Sequence, residues 1–197
     1  MPPPRPLRVE LMDAKRVWDT APHQAFTDMC IDDDQFVLTF REGDGHVYGK
    51  DGAVRVLRSD DGSSWETAAV LHAKGVDLRD PKISRMPSGE LHVLMGGSIY
   101  NGQKFVSRKT KVTRLNGQRG TAQVIVDAEI DSQVAQFDDW LWRICWHRGV
   151  AYGALYQHAK GKVHRMKSED GQRFEHVVRW KQDGRPSEAT VRAAPDG

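Results

Sequence analysis

The segment SDDGSSW at residues 59–65 returns as SEDGQRF at residues 168–174, and this pair of turns is the main clue to the architecture. Both segments match the pattern S-x-D-G-x-x-aromatic, and their glycines, Gly62 and Gly171, are 109 residues apart. A degraded version of the same turn ends at Gly117, about halfway between them. The sequence therefore predicts a structural unit with a period of 54 to 55 residues.

Apolar residues between these turns form short runs rich in Val, Ile, Phe, Trp and Tyr. The runs are too short for helices, and each is bounded by Gly, Asp, Asn or Pro, the residues that tight turns require. They lie at residues 36–40, 53–57, 91–95, 123–126, 140–146 and 150–156. We therefore predict an all-β fold.

A period of about 40 to 55 residues with several strands per unit is typical of β-propeller blades. We place the first blade at residues 25–71, the second at 76–127 and the third at 137–180. Residues 188–197 then supply the first strand of a fourth blade. Residues 1–22 form a proline-rich tail and lead-in.

The predicted propeller is incomplete, with about three and a half four-stranded blades. Strand edges without partners favour self-association. A second chain completing the ring is one interpretation. The interpretation that we prefer is a fragment of a longer protein.

Composition limits the classes of partner. Lys plus Arg number 29 and Asp plus Glu 27, a formal net charge of +2, so we expect no nucleic-acid partner. No run approaches the ~18 apolar residues of a spanning helix, so we expect no membrane partner, and the lack of an apolar leader predicts a cytoplasmic location. Cys30 and Cys145 are far apart and the histidines have no metal-ligand spacing, so we expect neither a metal nor a cofactor.

The order of several segments carries a family resemblance. With the two turns, these segments are AFTDM at 25–29, FREGDGH at 40–46, DLRDPKI at 77–83, CWHRGVAYGALY at 145–156 and PSEATVRAAPDG at 186–197. The succession resembles bacterial exo-sialidase-like proteins of the six-bladed propeller superfamily, and the turns resemble Asp-boxes, or BNR repeats. The resemblance covers almost the whole chain after the tail.

That resemblance implies a six-bladed ring, of which this chain is the N-terminal half, with a sugar site at its axis. Further carboxylate-binding arginines and a tyrosine nucleophile would then lie in the other half. It implies that this chain alone binds a sugar acid weakly and hydrolyses almost nothing.

Two acids occupy equivalent positions in the predicted blades. Asp80 lies nine residues before Gly89, and Glu188 lies nine residues before Gly197. A pair of carboxyl groups across a sugar-sized pocket is what glycoside hydrolysis requires, so we predict Asp80 and Glu188 as catalytic residues. The resemblance adds that sialidases carry a glutamate in an N-E-x-x-V segment, although Ser187 stands here in place of the asparagine.

Five further residues are predicted to bind the sugar near the same mouth: Arg41, Arg79, Asp28, Arg143 and His46. Guanidinium groups suit the hydroxyls or the carboxylate of a sugar. Structural interpretations remain open for several of them. Arg41 could be a surface charge, Arg143 an interblade ion pair and His46 a structural histidine, while Arg79 and Asp80 could pair with each other.

The main functional prediction is a sialidase-like glycoside hydrolase that hydrolyses or binds a terminal sugar, neutral or acidic, at the axial pocket. Whether the protein is an enzyme stays open. One alternative is a non-catalytic propeller for carbohydrate binding or protein interaction. Another is a five-bladed, furanosidase-like hydrolase that uses the Arg-Asp-Pro segment at 79–81, although the W-x-N-D-P nucleophile segment of that class has no equivalent here.

Overall fold

The computed structural model of the protein describes residues 9–48, 50–116, 121–122 and 124–194. Within these ranges the chain forms fourteen strands and no helix. The described part of the chain accordingly contains no helix that is long and apolar enough to cross a membrane. The prediction of an all-β fold is confirmed.

The first sheet contains four antiparallel strands in chain order. They are β1 (His23–Asp32), β2 (Gln35–Gly43), β3 (Ala53–Ser59) and β4 (Glu66–Leu71). Residues on β3 are almost all buried, whereas those on β4, at the edge of the sheet, are exposed or half-buried except for Leu71.

The second sheet begins with β5 (Asp77–Arg85), β6 (Leu91–Asn101) and β7 (Lys104–Asn116), again antiparallel and in chain order. The short strands β8 (Thr121–Ala122) and β9 (Val126–Asp127) both pair with β7. The β6–β7 hairpin extends beyond β5, because the register pairs Asp77 with Ser98 and leaves the hairpin tip unpaired with β5.

The third sheet contains β11 (Asp139–His147), β12 (Val150–Gln157), β13 (Lys162–Ser168) and β14 (Arg173–Trp180) in antiparallel order. The two-residue strand β10 (Glu129–Ile130) adds a parallel partner to β14. The three sheets cover residues 23–71, 77–127 and 129–180. The blade assignment itself stays a prediction.

Apolar side chains fill the spaces between consecutive sheets. On β6, Leu91, Val93 and Met95 pack toward the first sheet, while Leu94 packs toward the third. This explains the continuous apolar run of β6, since a strand buried on both faces has no solvent-facing positions. The strand β5 contacts both β1 and β11, so the first strands of the three sheets lie side by side.

Segment 188–194 departs from the predicted fourth blade. It forms no strand, because none of the described segments pairs with it. Instead, Ala189 and Val191 pack on the outer face of the third sheet, against a cluster that includes Trp142. Residues 195–197, Gly117 and the first eight residues of the predicted tail lie outside the described residues.

The repeated turns at 59–65 and 168–174 join the third and fourth strands of their sheets, and they have the same hydrogen bonds. In each turn the glycine N–H donates to the first serine, with N–Oγ distances of 2.8 Å for Ser59 and 2.9 Å for Ser168. The aspartate Oδ1, of Asp61 or Asp170, accepts two further backbone N–H groups. These bonds satisfy the tight turn internally, which is why the pattern repeats.

The second of these turns also contacts the second sheet. The carbonyl oxygen of Gly171 lies 2.9 Å from Nε2 of the buried His92, and the carbonyl oxygen of Asp170 accepts a hydrogen bond from Arg114. A carbonyl only accepts, so His92 carries its proton on Nε2. A Cβ added at Gly171 would lie 3.0 Å from that nitrogen.

We expect Gly171→Ala to destabilise the protein more than Gly75→Ala. Both glycines have left-handed backbone, with φ of 73° and 74°, so alanine is strained by about 1 kcal/mol at either position. A Cβ at Gly75 meets no atom within 4 Å, whereas at Gly171 it displaces His92. Urea unfolding is expected to show an additional loss of about 1–2 kcal/mol for Gly171→Ala. Equal losses for the two variants would contradict the proposed contact.

Acid should weaken the contact between the second and third sheets through His92. Burial lowers the pKa of His92 to about 4, from 6.5 in an exposed histidine. Its contribution to stability is complete above pH 6.5 and is lost as the pH falls toward 4, by roughly 3 kcal/mol. We expect His92→Gln, whose amide still donates to Gly171, to flatten the urea-unfolding profile between these pH values. If the free energy of unfolding changed with pH in His92→Gln as it does in the unaltered protein, His92 would not be the cause of the acid sensitivity.

Candidate functional site

The first strand of each sheet contains an irregularity in its register at a corresponding place. The shifts fall between residues 25 and 28 of β1, between 79 and 82 of β5, and between 141 and 144 of β11. A bulge bends a strand and redirects its side chains. Because these strands are adjacent, the three bulges direct side chains toward a shared region.

Both predicted catalytic acids have strained backbone. Asp80 has φ of 47° and Glu188 has φ of 57°, and Phe26, in the β1 bulge, has φ of 64°. Left-handed conformation is costly for a residue with a Cβ, by about 1–2 kcal/mol, and such outliers concentrate at functional sites. Buried surroundings hold Asp80 in this conformation, whereas Glu188 is exposed to solvent.

The carboxyl group of Asp80 is buried and weakly paired. The residue is 6% exposed, and its contact with a cation is the 3.8 Å separation of Oδ2 from Arg79 Nε. Burial raises the pKa of Asp80, the charges of Arg79 and Lys82 lower it, and the charge of Glu188 raises it further. Asp80 therefore keeps its proton to a higher pH than an exposed aspartate does. The same dependence places Asp80 and Glu188 within electrostatic reach of each other.

Glu188 lines a cavity of about 530 Å³ between the β6–β7 hairpin, the start of β11 and segment 187–188. The cavity walls are rich in aromatic side chains: Tyr48, Tyr100, Phe105, Phe137, Trp140 and Tyr156. Trp140 and Tyr156 stack with ring centroids 5.8 Å apart and planes inclined by 17°. Flat apolar walls beside a carboxylate suit a ligand that has both apolar faces and hydroxyl groups.

Two polar atoms of the cavity residues are buried and have no hydrogen-bond partner among the residues described. They are Oδ1 of Asp138 and Nε1 of Trp140. The second oxygen of Asp138 accepts a hydrogen bond from the backbone N–H of Ala159, at 2.7 Å. An acceptor and a donor buried without partners cost free energy unless a ligand supplies the missing bonds.

Arg108 adds a half-buried cation to the same cavity. Its guanidinium lies 3.8 Å over the ring of Trp140 and 5.1 Å over that of Phe105, and its Nε donates to Ser98 Oγ at 3.2 Å. No described carboxylate forms an ion pair with it, and burial lowers its pKa. Sequence reasoning missed Arg108, because β7 carries cations at several positions and nothing local distinguishes the one that turns inward.

Arg41 does not line this cavity. It is 1% exposed, and its Nε and Nη2 donate to Oδ1 of Asp77 at 3.0 and 2.7 Å. Its Nη1 donates to the carbonyl of Gly45, and the N–H of Gly52 donates to the same Asp77 oxygen. Arg41 is thus neither the surface charge nor the sugar ligand considered from the sequence. It holds the loop between β2 and β3.

The remaining predicted residues lie close to the bulges but contact one another. Arg79 donates to the carbonyl of His46 at 3.0 Å, and the ring of His46 packs edge-on against Phe26. Asp28 accepts hydrogen bonds from the N–H of Ile83 and from Arg143, which ties β1 to β5 and β11. Glu188 is the one predicted site residue among those that line the cavity.

The described residues contain no group of three His, Cys, Asp or Glu side chains placed to hold a metal ion. The chemistry available from these residues is that of carboxyl groups, guanidinium groups and aromatic rings.

Comparison with known proteins was informative only at the level of structure. No family model matches the sequence, and no curated protein matches it. A protein of unknown function from Dyadobacter fermentans superposes with a TM-score of 0.66 at 15% identity, over 82% of this chain and 56% of that one. A family 117 glycoside hydrolase from Zobellia galactanivorans, Zg3597, gives 0.59 at 11% identity, over 78% and 55%. The fold is that of propeller-like glycoside hydrolases.

Other similar structures support the same fold. The exo-β-1,3-galactanase 1,3Gal43A from Clostridium thermocellum has a TM-score of 0.57 at 15% identity, over 75% of this chain and 35% of that one. Further examples are glycoside hydrolases of families 43 and 32. The chain thus spans between 34% and 61% of the length of these proteins.

These neighbours correct the family expected from the sequence. They are not sialidases, and they give no support to the sialidase superfamily or to the names Asp-box and BNR repeat for the two turns. The turn pattern identifies a way to close a hairpin, and any sheet that needs such a hairpin can use it. The five-bladed, furanosidase-like alternative fits the neighbours better.

We expect Asp77→Asn to destabilise the protein by about 3 kcal/mol, because Arg41 would keep a buried charge without a counterion. Asp127→Asn is the control, since this carboxylate is 38% exposed and pairs with Lys109 and Lys111 at the surface. The control should lose less than about 1 kcal/mol. Urea unfolding measures the loss in the free energy of unfolding for both variants. Similar losses would show that the Arg41–Asp77 pair stabilises the protein no more than a surface pair does.

Proposed function

We propose that this protein is a carbohydrate-active glycoside hydrolase module of the furanosidase-like type, which binds a terminal sugar in the cavity beside Glu188. The observation that carries the proposal is the pairing of an aromatic cavity with polar atoms that have no partner, on Asp138 and Trp140. A sugar ring fits both features of the cavity. Its C–H faces stack on aromatic rings, and its hydroxyl groups both donate and accept hydrogen bonds.

In this proposal Glu188 transfers a proton. It lines the cavity, and its carboxyl group can protonate the oxygen of the leaving group as the bond to the anomeric carbon breaks. Water adds to the anomeric carbon as the leaving group departs, so the products are the free sugar and the alcohol. No base or nucleophile is assigned, because the segment that carries it in furanosidases has no equivalent in this sequence.

Asp80 does not line the cavity beside Glu188, and it has a different role in this proposal. It belongs to the Arg-Asp-Pro segment, whose aspartate holds sugar hydroxyls in the furanosidases that the segment resembles. Its strained backbone and its raised pKa both support a functional position. Burial raises the pKa of Asp80, and the charges of Arg79 and Lys82 oppose that rise.

Arg108 favours a sugar with an anionic substituent. Its stacked guanidinium has no carboxylate partner among the described side chains, and a ligand carboxylate would provide one. Neutral and acidic sugars are therefore both included in the test.

The test is a panel of 4-nitrophenyl α-L-arabinofuranoside, β-D-xyloside, β-D-galactoside, β-D-glucuronide and a sialoside. We expect nitrophenol release from one of the first four, and a decrease of about 100-fold or more in Glu188→Gln with ligand binding changed little. The control Glu129→Gln alters a surface pair with Arg173 and should leave release unchanged.

Other outcomes distinguish the alternatives. Binding without release by the unaltered chain, followed by NMR of the ligand, would support the non-catalytic carbohydrate-binding module. Release from the sialoside alone would restore the sialidase interpretation. Absence of both binding and release over the whole panel would overturn the proposed function. Self-association and a cytoplasmic location stay predictions.

A further inference from the structure

A second cavity, of about 460 Å³, lies at the other end of the third sheet. It is enclosed by the last residues of β11, by β12, β13 and the end of β14, and by segment 191–194. No residue lines both cavities, although segment 187–194 contributes to each, with Glu188 at the first and Val191 at the second. The two cavities therefore have different linings.

Three arginines converge on this second cavity: Arg148, Arg165 and Arg192. His147 lies beside them, and the residues that line the cavity include no aspartate or glutamate. No ion pair or side-chain hydrogen bond joins these three guanidinium groups to the part of the chain that the structure describes. Cations that line one cavity repel one another, and a bound anion would relieve that repulsion.

Arg165 is fixed at the floor of the cavity. Its guanidinium lies 4.8 Å over the ring of Tyr152, and its Nε is buried without an acceptor. A cation stacked on an aromatic ring is restrained in one orientation, so less conformational entropy is lost when an anion binds to it. Trp180 supplies a second aromatic ring to the same wall.

Arg148 lies at the β11–β12 turn and has left-handed backbone, with φ of 49°. The turn continues with Gly149, so its two residues are Arg-Gly, whereas Asn-Gly or Asp-Gly is the usual solution for such a hairpin. Arginine at this position costs more than asparagine, by about 1 kcal/mol. The turn itself therefore does not explain an arginine at position 148, whereas a role in lining the cavity does.

We propose that this cavity is a second ligand site, which binds an organic oxyanion of monosaccharide size. The guanidinium groups bind the anionic substituent, a phosphate ester, a sulfate ester or a carboxylate, and the rings of Tyr152 and Trp180 contact the body of the ligand. The site is independent of the cavity beside Glu188 and does not rest on the function proposed for it.

The experiment is isothermal titration of the 197-residue chain with glucose 6-phosphate, galactose 6-sulfate, galacturonate, glucose and inorganic phosphate. We expect saturable binding of at least one anionic sugar, more tightly than inorganic phosphate, and no binding of glucose at this site. The anion that binds most tightly identifies the substituent. Raising NaCl from about 20 to 500 mM should weaken the binding without abolishing it, because the site is partly enclosed.

Variants localise the binding. Arg165→Gln is expected to weaken it about tenfold or more, and Arg148→Gln, at an exposed turn where folding is not at stake, to weaken it severalfold. Arg173→Gln is the matched control, because this arginine of the same sheet is exposed and pairs with Glu129. Quenching of tryptophan fluorescence on binding should disappear in Trp180→Leu.

Any of three results with the anions and the variants would overturn the proposal. They are the absence of binding by every anion, equal weakening by Arg173→Gln and Arg148→Gln, and loss of anion binding in Glu188→Gln, which would place the ligand in the first cavity. Competition between a neutral sugar of the first site and the anion would also contradict two separate sites.

Discussion

The buried ion pair between Arg41 and Asp77 is the constraint on which the site depends. It joins the end of β2 to the start of β5, and it requires two glycines, because a Cβ at Gly43 or Gly52 would lie within 3 Å of the Arg41 guanidinium. A pair this deeply buried is costly to break, since either partner alone keeps an uncompensated charge. It therefore fixes where β5 begins, and with it the Arg79–Asp80 segment.

Because the Arg41–Asp77 pair fixes the start of β5, it also restricts the backbone of Asp80, three residues further along that strand. The bulge in β5 lies between bulges in β1 and β11, and Asp28 ties the three strands together through Ile83 and Arg143. These contacts are strong enough together to hold Asp80 in a conformation that it would not adopt alone. Packing in the rest of the fold offsets the free-energy cost of this left-handed conformation, as is usual at functional sites.

The likeness to glycoside hydrolases of several families concerns the fold, and a fold of this kind hosts many functions. What is particular to this chain lies in its two cavities. One combines aromatic rings, Glu188 and the unpaired cation Arg108, and the other gathers three arginines around Tyr152 and Trp180. Both are built from side chains of several strands, so neither can be inferred from any single motif.

The sequence by itself determined the all-β class and the two repeated turns, and it pointed to Asp80 and Glu188 as candidate site residues. Those features are local, since the turns close on their own Ser, Asp and Gly residues. Whether the two acids are catalytic stays a prediction. Only the tertiary structure decided the partners of the buried charges. Arg41 forms an ion pair with Asp77, and Arg143 forms one with Asp28. The guanidinium of Arg108 stacks on the ring of Trp140. Each of these contacts joins residues far apart in the chain. The packing of the sheets sets the partner of a buried charge, so the spacing of residues in the sequence does not predict it.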